Sequence, residues 1–310
     1  MIGNQVTAYD ENIMAMFEAH NFHTESHEVK PSNYTELMDM MKKPHPTHTG
    51  MVLDEAYYTD FCRAIKASSE SKVNSDVLPY FDVLRRYDNL MDRLCSNWAP
   101  LWDKSPISPP KPDLADGISI IDAGDEYELL RAQLDRFIVP IHSEPFLCNF
   151  FLEFKRPMAD AVTGARQAQH DGAVGLRGIA HARILNSEDI NDEKAVAFSA
   201  TYVAGSLALY AHFLKHAGPS EQDWHYHMCR LDVHASSGSL EKLVAAVRAF
   251  RNLRDYAAEI RIKLAKEVSV KLRQLDKLPP KPIYFLTAKE AEAEEKRKAQ
   301  GSKNKKARGK

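Results

Sequence analysis

The chain has 310 residues, of which 44% are hydrophobic and 27% charged, and it contains 13 Gly and 16 Pro. This composition excludes collagen-like and low-complexity classes and can fill a sizeable hydrophobic core. No apolar run approaches the ~18 residues of a membrane-spanning helix, and the polar, acidic N-terminus shows no secretory signal. The four Cys are scattered and form no CxxC pair, which predicts reduced thiols inside a cell.

The formal net charge of −2 conceals an acidic body and a basic end. Residues 296–310 carry eight basic side chains and no acid, which leaves the other 295 residues with a net charge of −10. An acidic body argues against nucleic-acid binding by charge alone. The basic end lies in a predicted disordered tail, 286–310, and suits either nuclear import or contact with phosphates. We therefore expect an intracellular protein without a membrane partner, with the nucleus as one candidate location.

The first third of the chain is predicted to contain helices that follow a loosely attached arm. Residues 1–30 are polar, rich in His and Glu and weakly periodic, which is typical of a mobile segment. Apolar residues recur at helical spacing at 34–41, at 54–67 and from 73 to 84, and the last pattern continues toward 94. Five prolines between 97 and 112 predict an extended loop.

The remaining two thirds alternate between strand and helix patterns, which predicts an α/β class. A short strand followed by a turn is predicted at 113–121, and further strands at 146–154, 195–203, 207–214 and 225–233. The predicted helices lie at 126–138, 159–185 and 240–275. The run at 146–154 is apolar on both faces, as expected of a buried central strand. These elements predict one α/β domain over 31–285, with disordered termini.

The most informative residues are Glu153 and Lys155, which end this apolar strand. Residues i and i+2 of a strand point to the same face, so the two ionisable groups project together. Such groups are costly at the end of an apolar strand unless they are paired or bound. A carboxylate can bind a hard cation such as Mg²⁺, and a neighbouring lysine can orient water or stabilise charge on a phosphate.

One carboxylate is a poor magnesium site, and the sequence offers further candidates. Asp113 follows Pro112 at a strand-like segment, and Glu70 lies at the start of a predicted helix. Each also has an ordinary explanation, because Asp is common in turns and Glu is favoured at helix N-termini. Asp116 and Asp122 are rivals of Asp113 for the second carboxylate.

Pro112-Asp113 followed by Glu153-x-Lys155 resembles the PD-(D/E)xK pattern of restriction-endonuclease-like nucleases. Over a wider span, the segments 112–117, 149–155 and 165–178 resemble a family of uncharacterised fungal proteins, which is itself considered similar to these nucleases. The resemblance covers roughly residues 31–275. Arg156 and Gln169-His170 depart from the family pattern without removing a catalytic group.

The resemblance implies a restriction-endonuclease-like core, in which a central mixed β-sheet is flanked by helices and a long C-terminal helix follows. It implies metal-dependent hydrolysis of DNA or RNA, with Asp113, Glu153 and Glu70 binding Mg²⁺ or Mn²⁺. Lys155 would complete the catalytic group, and Gln167 in the following helix would contact the substrate.

Three other functions stay open at this point. The protein could keep the nuclease-like fold without turnover and hold a protein partner or a second copy through a sheet edge or the helix at 240–275. An enzyme acting on a small phosphorylated substrate is less well supported, since no Gly-rich phosphate loop is present. His225, His227 and Cys229 alternate along a predicted strand, and this pattern offers a zinc-binding alternative.

Overall fold

The computed structural model describes residues 6–7, 10–26, 28–45, 54–66, 69–81, 88–103, 105–141, 145–156, 161–218 and 220–274, without the side chains of Glu70 and Asp122. The helices in these ranges are Ile13–Ala19 (α1), Tyr34–Lys42 (α2), Glu55–Ala64 (α3), Glu70–Phe81 (α4), Ile120–Ala123 (α5), Asp125–Ile138 (α6), Ala161–Leu185 (α7) and Leu240–Arg273 (α8). The strands are Phe22–Ser26 (β1), Asn89–Leu90 (β2), Leu114–Ile118 (β3), Phe146–Lys155 (β4), Ala197–Val203 (β5), Ser206–Lys215 (β6) and His225–Ala235 (β7). The predicted basic tail lies outside the described residues.

The strands form one seven-stranded mixed sheet in the order β1-β7-β6-β5-β4-β3-β2. The pairs β4–β5 and β1–β7 are parallel, and the remaining pairs are antiparallel. The parallel pair β4–β5 requires a long crossover connection, which α7 supplies. The predicted α/β class, with a mixed sheet flanked by helices and a long C-terminal helix, is confirmed.

Strand β4 lies inside the sheet, and all ten of its residues are buried. Phe150 contacts Phe250 of α8 at 5.3 Å between ring centroids, whereas Phe151 lies against α7 at Gly175. Consecutive side chains of β4 therefore fill two different cores, one under α7 and α6 and one under α2, α3, α4 and the first half of α8. This double burial explains the continuous apolar run in the sequence.

Helix α7 lies unusually close to the sheet because glycines face it. A Cβ added to Gly172 would come within 2.2 Å of the His212 ring of β6, and one added to Gly175 within 2.9 Å of the Cys148 carbonyl oxygen of β4. The helix packs less closely at Gly164, where an added Cβ would lie 3.4 Å from Cγ of Lys155. The small residues along this helix, which include Gly164, Ala168, Gly172 and Gly175, thus bring α7 against the sheet and position it over Glu153 and Lys155.

The N-terminal segment differs from the prediction of a mobile arm over 1–30. Ile13 and Phe17 of α1 are fully buried, and β1 forms an edge strand of the sheet beside β7. A seven-residue helix and a five-residue strand with the sequence FHTES are too short and too polar to show clear periodicity. Tertiary contacts, which the local sequence does not reveal, stabilise both, so the expectation is wrong for this part of the arm.

The predicted continuation of the helix at 73–84 through Leu90 toward residue 94 is contradicted over 88–94, which contain no helix. Helix α4 ends at Phe81, and Asn89–Leu90 forms a short edge strand beside β3. Leu90 projects from this strand into the hydrophobic core, which explains why an apolar residue lies at this position without a helix. The segment 113–121, which is predicted as a short strand followed by a turn, contains β3, which ends at Ile118, and the start of the one-turn helix α5.

Candidate metal-binding carboxylate site

Glu153 and Lys155 lie at the C-terminal end of β4, on the face covered by α7. Their side chains are each 2% exposed. Lys155 Nζ donates a hydrogen bond of 3.1 Å to Glu153 Oε2 and another of 2.8 Å to the Phe154 carbonyl oxygen. The ion pair leaves the second oxygen of Glu153, Oε1, without a hydrogen-bond donor among the described residues.

Asp113 lies immediately before β3 and beside this pair. The antiparallel register places Leu114 opposite Leu152, so the preceding residue comes next to Glu153. Asp113 Oδ2 accepts a hydrogen bond of 2.6 Å from the backbone N–H of Phe154. The structure thus brings together Asp113, Glu153 and Lys155, which are separated by about forty residues of sequence that include α6.

A third carboxylate, Asp171 of α7, completes the cluster and was missed from the sequence. It is 2% exposed and lies two turns after Gly164, the residue that contacts Lys155. Its Oδ2 atom also has no hydrogen-bond donor among the described residues. The sequence does contain an indication of this burial. The small residues of α7 mark the face that meets the sheet, and position 171 falls on that face.

The pKa values show how strongly these groups interact. Burial raises the pKa of Glu153 well above its usual range, Asp171 and Asp113 raise it further, and Lys155 opposes them. Burial raises the pKa of Asp171 to about 7, against the opposing effects of Glu153 and Lys155. Three carboxylates and one ammonium group would carry a net charge of −2 if all were ionised. At neutral pH the cluster therefore requires a bound proton or a cation.

Gln167 lies one turn before Asp171 on the same face of α7, and it also has a buried oxygen that accepts no hydrogen bond from the described residues. Its Oε1 atom is buried without a hydrogen-bond donor in the described part of the chain. Together with Glu153 Oε1 and Asp171 Oδ2, it gives three buried oxygen acceptors that lack donors. Carboxylate and amide oxygens are the ligands that Mg²⁺ and Ca²⁺ take in proteins, so the residues present fit a hard divalent cation.

The three carboxylates do not form a closed cage. Among the described residues, the groups whose metal-ligating atoms all lie within 4.8 Å of one another do not include Asp113, Glu153 and Asp171 together. Glu153 and Asp171 lie within hydrogen-bonding reach of each other, so these two carboxylates are the ones that could hold a cation or share a proton, while Asp113 acts on them through its charge. Mg²⁺ is usually bound by one or two carboxylates and keeps several waters.

Asp116, a rival candidate, belongs to a different structure. It is fully buried on the opposite face of the sheet, where Arg254 Nε and Nη2 donate to its two oxygens at 2.7 and 2.8 Å. Through this bidentate ion pair Asp116 joins β3 to α8, and it is therefore not part of the carboxylate cluster. Glu70 begins α4 and Asp122 lies in α5, but their side chains lie outside the description, so their roles stay predictions.

Two cationic side chains lie on the approach to the cluster. A hydrogen bond to Asp92 raises the pKa of Lys111, and the charges of Asp113 and Glu153 add to this effect. Arg156 is exposed and directly follows Lys155. Both cations suit an anionic ligand that approaches from the solvent.

The cluster itself is closed to solvent, as the exposures of Glu153, Lys155 and Asp171 show. A surface pocket is present elsewhere in the described structure, between the α5–α6 region and α8. It is lined by Asp88, Gly117, Ile118, Ser119, Ala123, Glu126, Arg261, Ile262, Ala265 and Lys266. Access of a large substrate to the carboxylates therefore requires local opening around the end of β4.

Fold and site together define an α/β protein with a seven-stranded mixed sheet and a buried cluster of carboxylates and lysine. The chain belongs to the family of DUF7924, a domain of unknown function whose sequence model matches residues 57–268. The match includes all residues of the cluster and begins after β1 and α2. A search of curated proteins and a search of solved structures each find no match.

The family description names no activity, so the resemblance to nucleases and a fungal source stay predictions. In the described part of the chain, no helix has both the length and the apolar composition that crossing a bilayer requires.

Proposed function

We propose that the protein is a divalent-cation-dependent hydrolase that cleaves phosphodiester bonds of nucleic acids, built on a restriction-endonuclease-like core. The observation that carries this proposal is the pair of buried carboxylates, Glu153 and Asp171, beside Lys155. Buried like charges of this kind are costly, and proteins concentrate such arrangements at functional sites. The antiparallel strands β2, β3 and β4, followed by the α7 crossover to β5, support the assignment of the core.

Each residue has a distinct role in this proposal. Glu153 and Asp171 hold the cation, with Asp113 adding negative charge from the start of β3. Lys155 keeps Glu153 in place through its 3.1 Å ion pair and neutralises charge that develops on the phosphate. Gln167 offers its unpaired Oε1 to a water or a sugar hydroxyl of the substrate. A bound Mg²⁺ or Mn²⁺ would activate water and polarise the phosphoryl oxygen.

The partner in this proposal is DNA or RNA, which the acidic body does not attract by itself. Arg156, which is exposed and directly follows Lys155, supplies local positive charge, whereas the charge of Lys111 is balanced by Asp92 at 2.6 Å. The basic residues of 296–310 add an electrostatic contact to phosphates and suit a nuclear location.

The direct test is cleavage of single- and double-stranded DNA and RNA in the presence of Mg²⁺ or Mn²⁺. The wild-type protein is expected to cleave at least one of these substrates, and chelation of the metal is expected to stop the reaction. Glu153→Gln removes one charge at nearly constant volume and should reduce the rate by about 10²-fold or more.

Glu259→Gln is the matched control, because it makes the same chemical change at an exposed position of α8. It should leave the rate unchanged. Equal cleavage by the wild type and by Glu153→Gln would contradict the assignment of the site.

A second candidate function is a binding module that keeps the cluster but does not turn over a substrate. The near-complete burial of Glu153 and Lys155 favours it, because a phosphodiester must reach the catalytic groups. Helix α8, which exposes Ile262 and Val270, and the two sheet edges are the surfaces that could hold a protein partner or a second copy. Metal binding without cleavage of any nucleic acid would favour this function.

A further inference from the structure

A group of three histidines lies at the edge of the sheet, away from the carboxylates. His225 and His227 lie at the start of β7, and His23 lies on the neighbouring strand β1, paired with His227 in parallel register. One ring nitrogen from each histidine lies within 4.8 Å of those of the other two. The ring planes are nearly parallel, with centroids 4.3 Å apart and planes at 21° for His23 and His227, and 5.1 Å apart and at 15° for His23 and His225.

This cluster is separate from the carboxylate site in both face and position. His227 pairs with Phe213, whose side chain lies in the core under α2 and α8, whereas Glu153 faces α7. Strand β7 runs opposite to β6, and β6 runs opposite to β5, so β7 begins at the end of the sheet where β4 also begins. The histidines and the carboxylates therefore occupy opposite faces and opposite ends of the sheet.

The geometry suits a metal that prefers nitrogen ligands. Nε2 of His23 and Nδ1 of His225 are 2.8 Å apart, so one ring donates a hydrogen bond to the other. Two ligands of a tetrahedral zinc ion with bonds of about 2.0–2.1 Å lie roughly 3.3 Å apart, so a metal can replace the shared proton with a shift of about half an ångström. All three side chains are only partly buried, which gives a metal and its remaining water ligand a path from solvent.

Other polar and charged side chains lie around the three histidines. His216, at the end of β6, has its ring 6.3 Å from that of His225 and is exposed, so it is available as a fourth ligand after a side-chain rotation. Lys215 lies near His227, and its charge is partly balanced by Glu193 at 3.7 Å. Glu18 of α1 lies near His23 and adds a negative charge.

Cys229, which the sequence pattern offers as the third ligand, is not part of the group. Its side chain is buried, and its Sγ donates to the Arg230 carbonyl oxygen. The register of β1 against β7 shifts after His23, and Ser26 is the residue that lies opposite Cys229. The strand alternation predicts His225 and His227 correctly as neighbours, but the third ring comes from a residue about 200 positions away in the chain.

We infer that His23, His225 and His227 form a site for a transition metal such as Zn²⁺, which joins the N-terminal edge strand to the body of the sheet. Within the described sheet, β1 pairs with β7 alone, so a metal that bridges the two strands would cross-link the edge strand to the rest of the sheet. Three imidazole ligands with one open position are characteristic of zinc sites. The inference does not depend on the proposed hydrolytic function.

The test is calorimetric titration of the full chain with Zn²⁺ in excess Mg²⁺, which occupies the oxygen-rich site and leaves the imidazoles free. One Zn²⁺ per chain should bind to the wild type. His23→Gln and His227→Gln should each weaken binding by about tenfold or more, since each removes one of three ligands. Because a strand substitution can impair folding, His225→Gln, at the first residue of β7, provides a second variant with less effect on the sheet.

His234→Gln is the matched control, since it makes the same change on the same strand but at its far end. It should bind Zn²⁺ as the wild type does, and so should Glu153→Gln. Absence of saturable Zn²⁺ binding by the wild type would overturn the inference. Equal binding by the His227, His225 and His234 variants, or loss of binding in Glu153→Gln, would also overturn it.

Discussion

Asp116→Ala is expected to lower the free energy of unfolding by about 3–5 kcal/mol, because it removes the carboxylate that accepts two hydrogen bonds from a buried guanidinium. Arg254 and Asp116 are 2% and 0% exposed, and their two hydrogen bonds join α8 to β3. Arg254 also lies over the rings of Phe150 and Phe250, at 5.8 and 5.3 Å from their centroids, so water cannot readily replace the lost carboxylate. Urea denaturation followed by circular dichroism measures this loss.

The matched control is Asp60→Ala, which breaks an ion pair with Arg63 whose partners are 60% and 74% exposed. Surface pairs of this kind contribute at most about 1 kcal/mol. The double variant Asp116→Ala/Arg254→Met removes the uncompensated charge and should recover part of the stability. Similar losses in Asp116→Ala and Asp60→Ala would contradict the structural role of Asp116.

The stability of the protein is expected to depend strongly on pH through the carboxylate cluster. The pKa of Asp171 is about 7 in the folded protein and near 3.8 without its environment, so the folded state holds an extra proton between these values. Its stability should therefore fall as the pH rises from about 4 to about 7, by about 1.4 kcal/mol for each unit of raised pKa. Asp171→Asn, which does not titrate, should become more stable relative to the metal-free wild type over this range.

Other buried groups make comparison with this variant necessary. Burial lowers the pKa of His212 to about 3 and that of His170 to about 4, and lowered histidine values make stability rise with pH. These contributions are common to both proteins and cancel in the difference. Addition of Mg²⁺ should stabilise the wild type most at high pH, since the cation competes with the proton. A difference between the two proteins that does not change with pH would contradict the raised pKa.

Much of the architecture could be predicted from periodicity alone. The buried strand β4, the hairpin of β5 and β6 and the long helix α8 are strongly patterned, and their predicted bounds differ from the observed ones by no more than about two residues. The hairpin turn has positive φ at Ala204 and Gly205, as a two-residue turn of this kind requires. Elements that depend on tertiary contacts, namely α1, β1 and β2, could not be predicted because each is too short to show a period.

The candidate site was predicted only in part, for a similar reason. Glu153 and Lys155 are identified by two charges at the end of an apolar strand, and Asp113 by the resemblance to a known motif. Asp171 lies in the middle of a helix, where a carboxylate is usually solvated, and the small residues on its face of α7 are the one sequence signal that this face is buried against the sheet. His23 could not be found either, because its relation to His227 depends on the pairing of two strands distant in sequence.

The cluster of Glu153, Asp171 and Asp113 is expected to bind a hard divalent cation. Calorimetric titration of the metal-free protein with Mg²⁺ near pH 7.5 tests this expectation most directly, because imidazoles bind this ion poorly. One Mg²⁺ is expected to bind per chain, with release of protons that the carboxyl groups hold at this pH. Binding should persist in Glu259→Gln and Asp60→Ala and disappear in Glu153→Gln. No binding by the wild type, or equal binding by Glu153→Gln, would contradict the account.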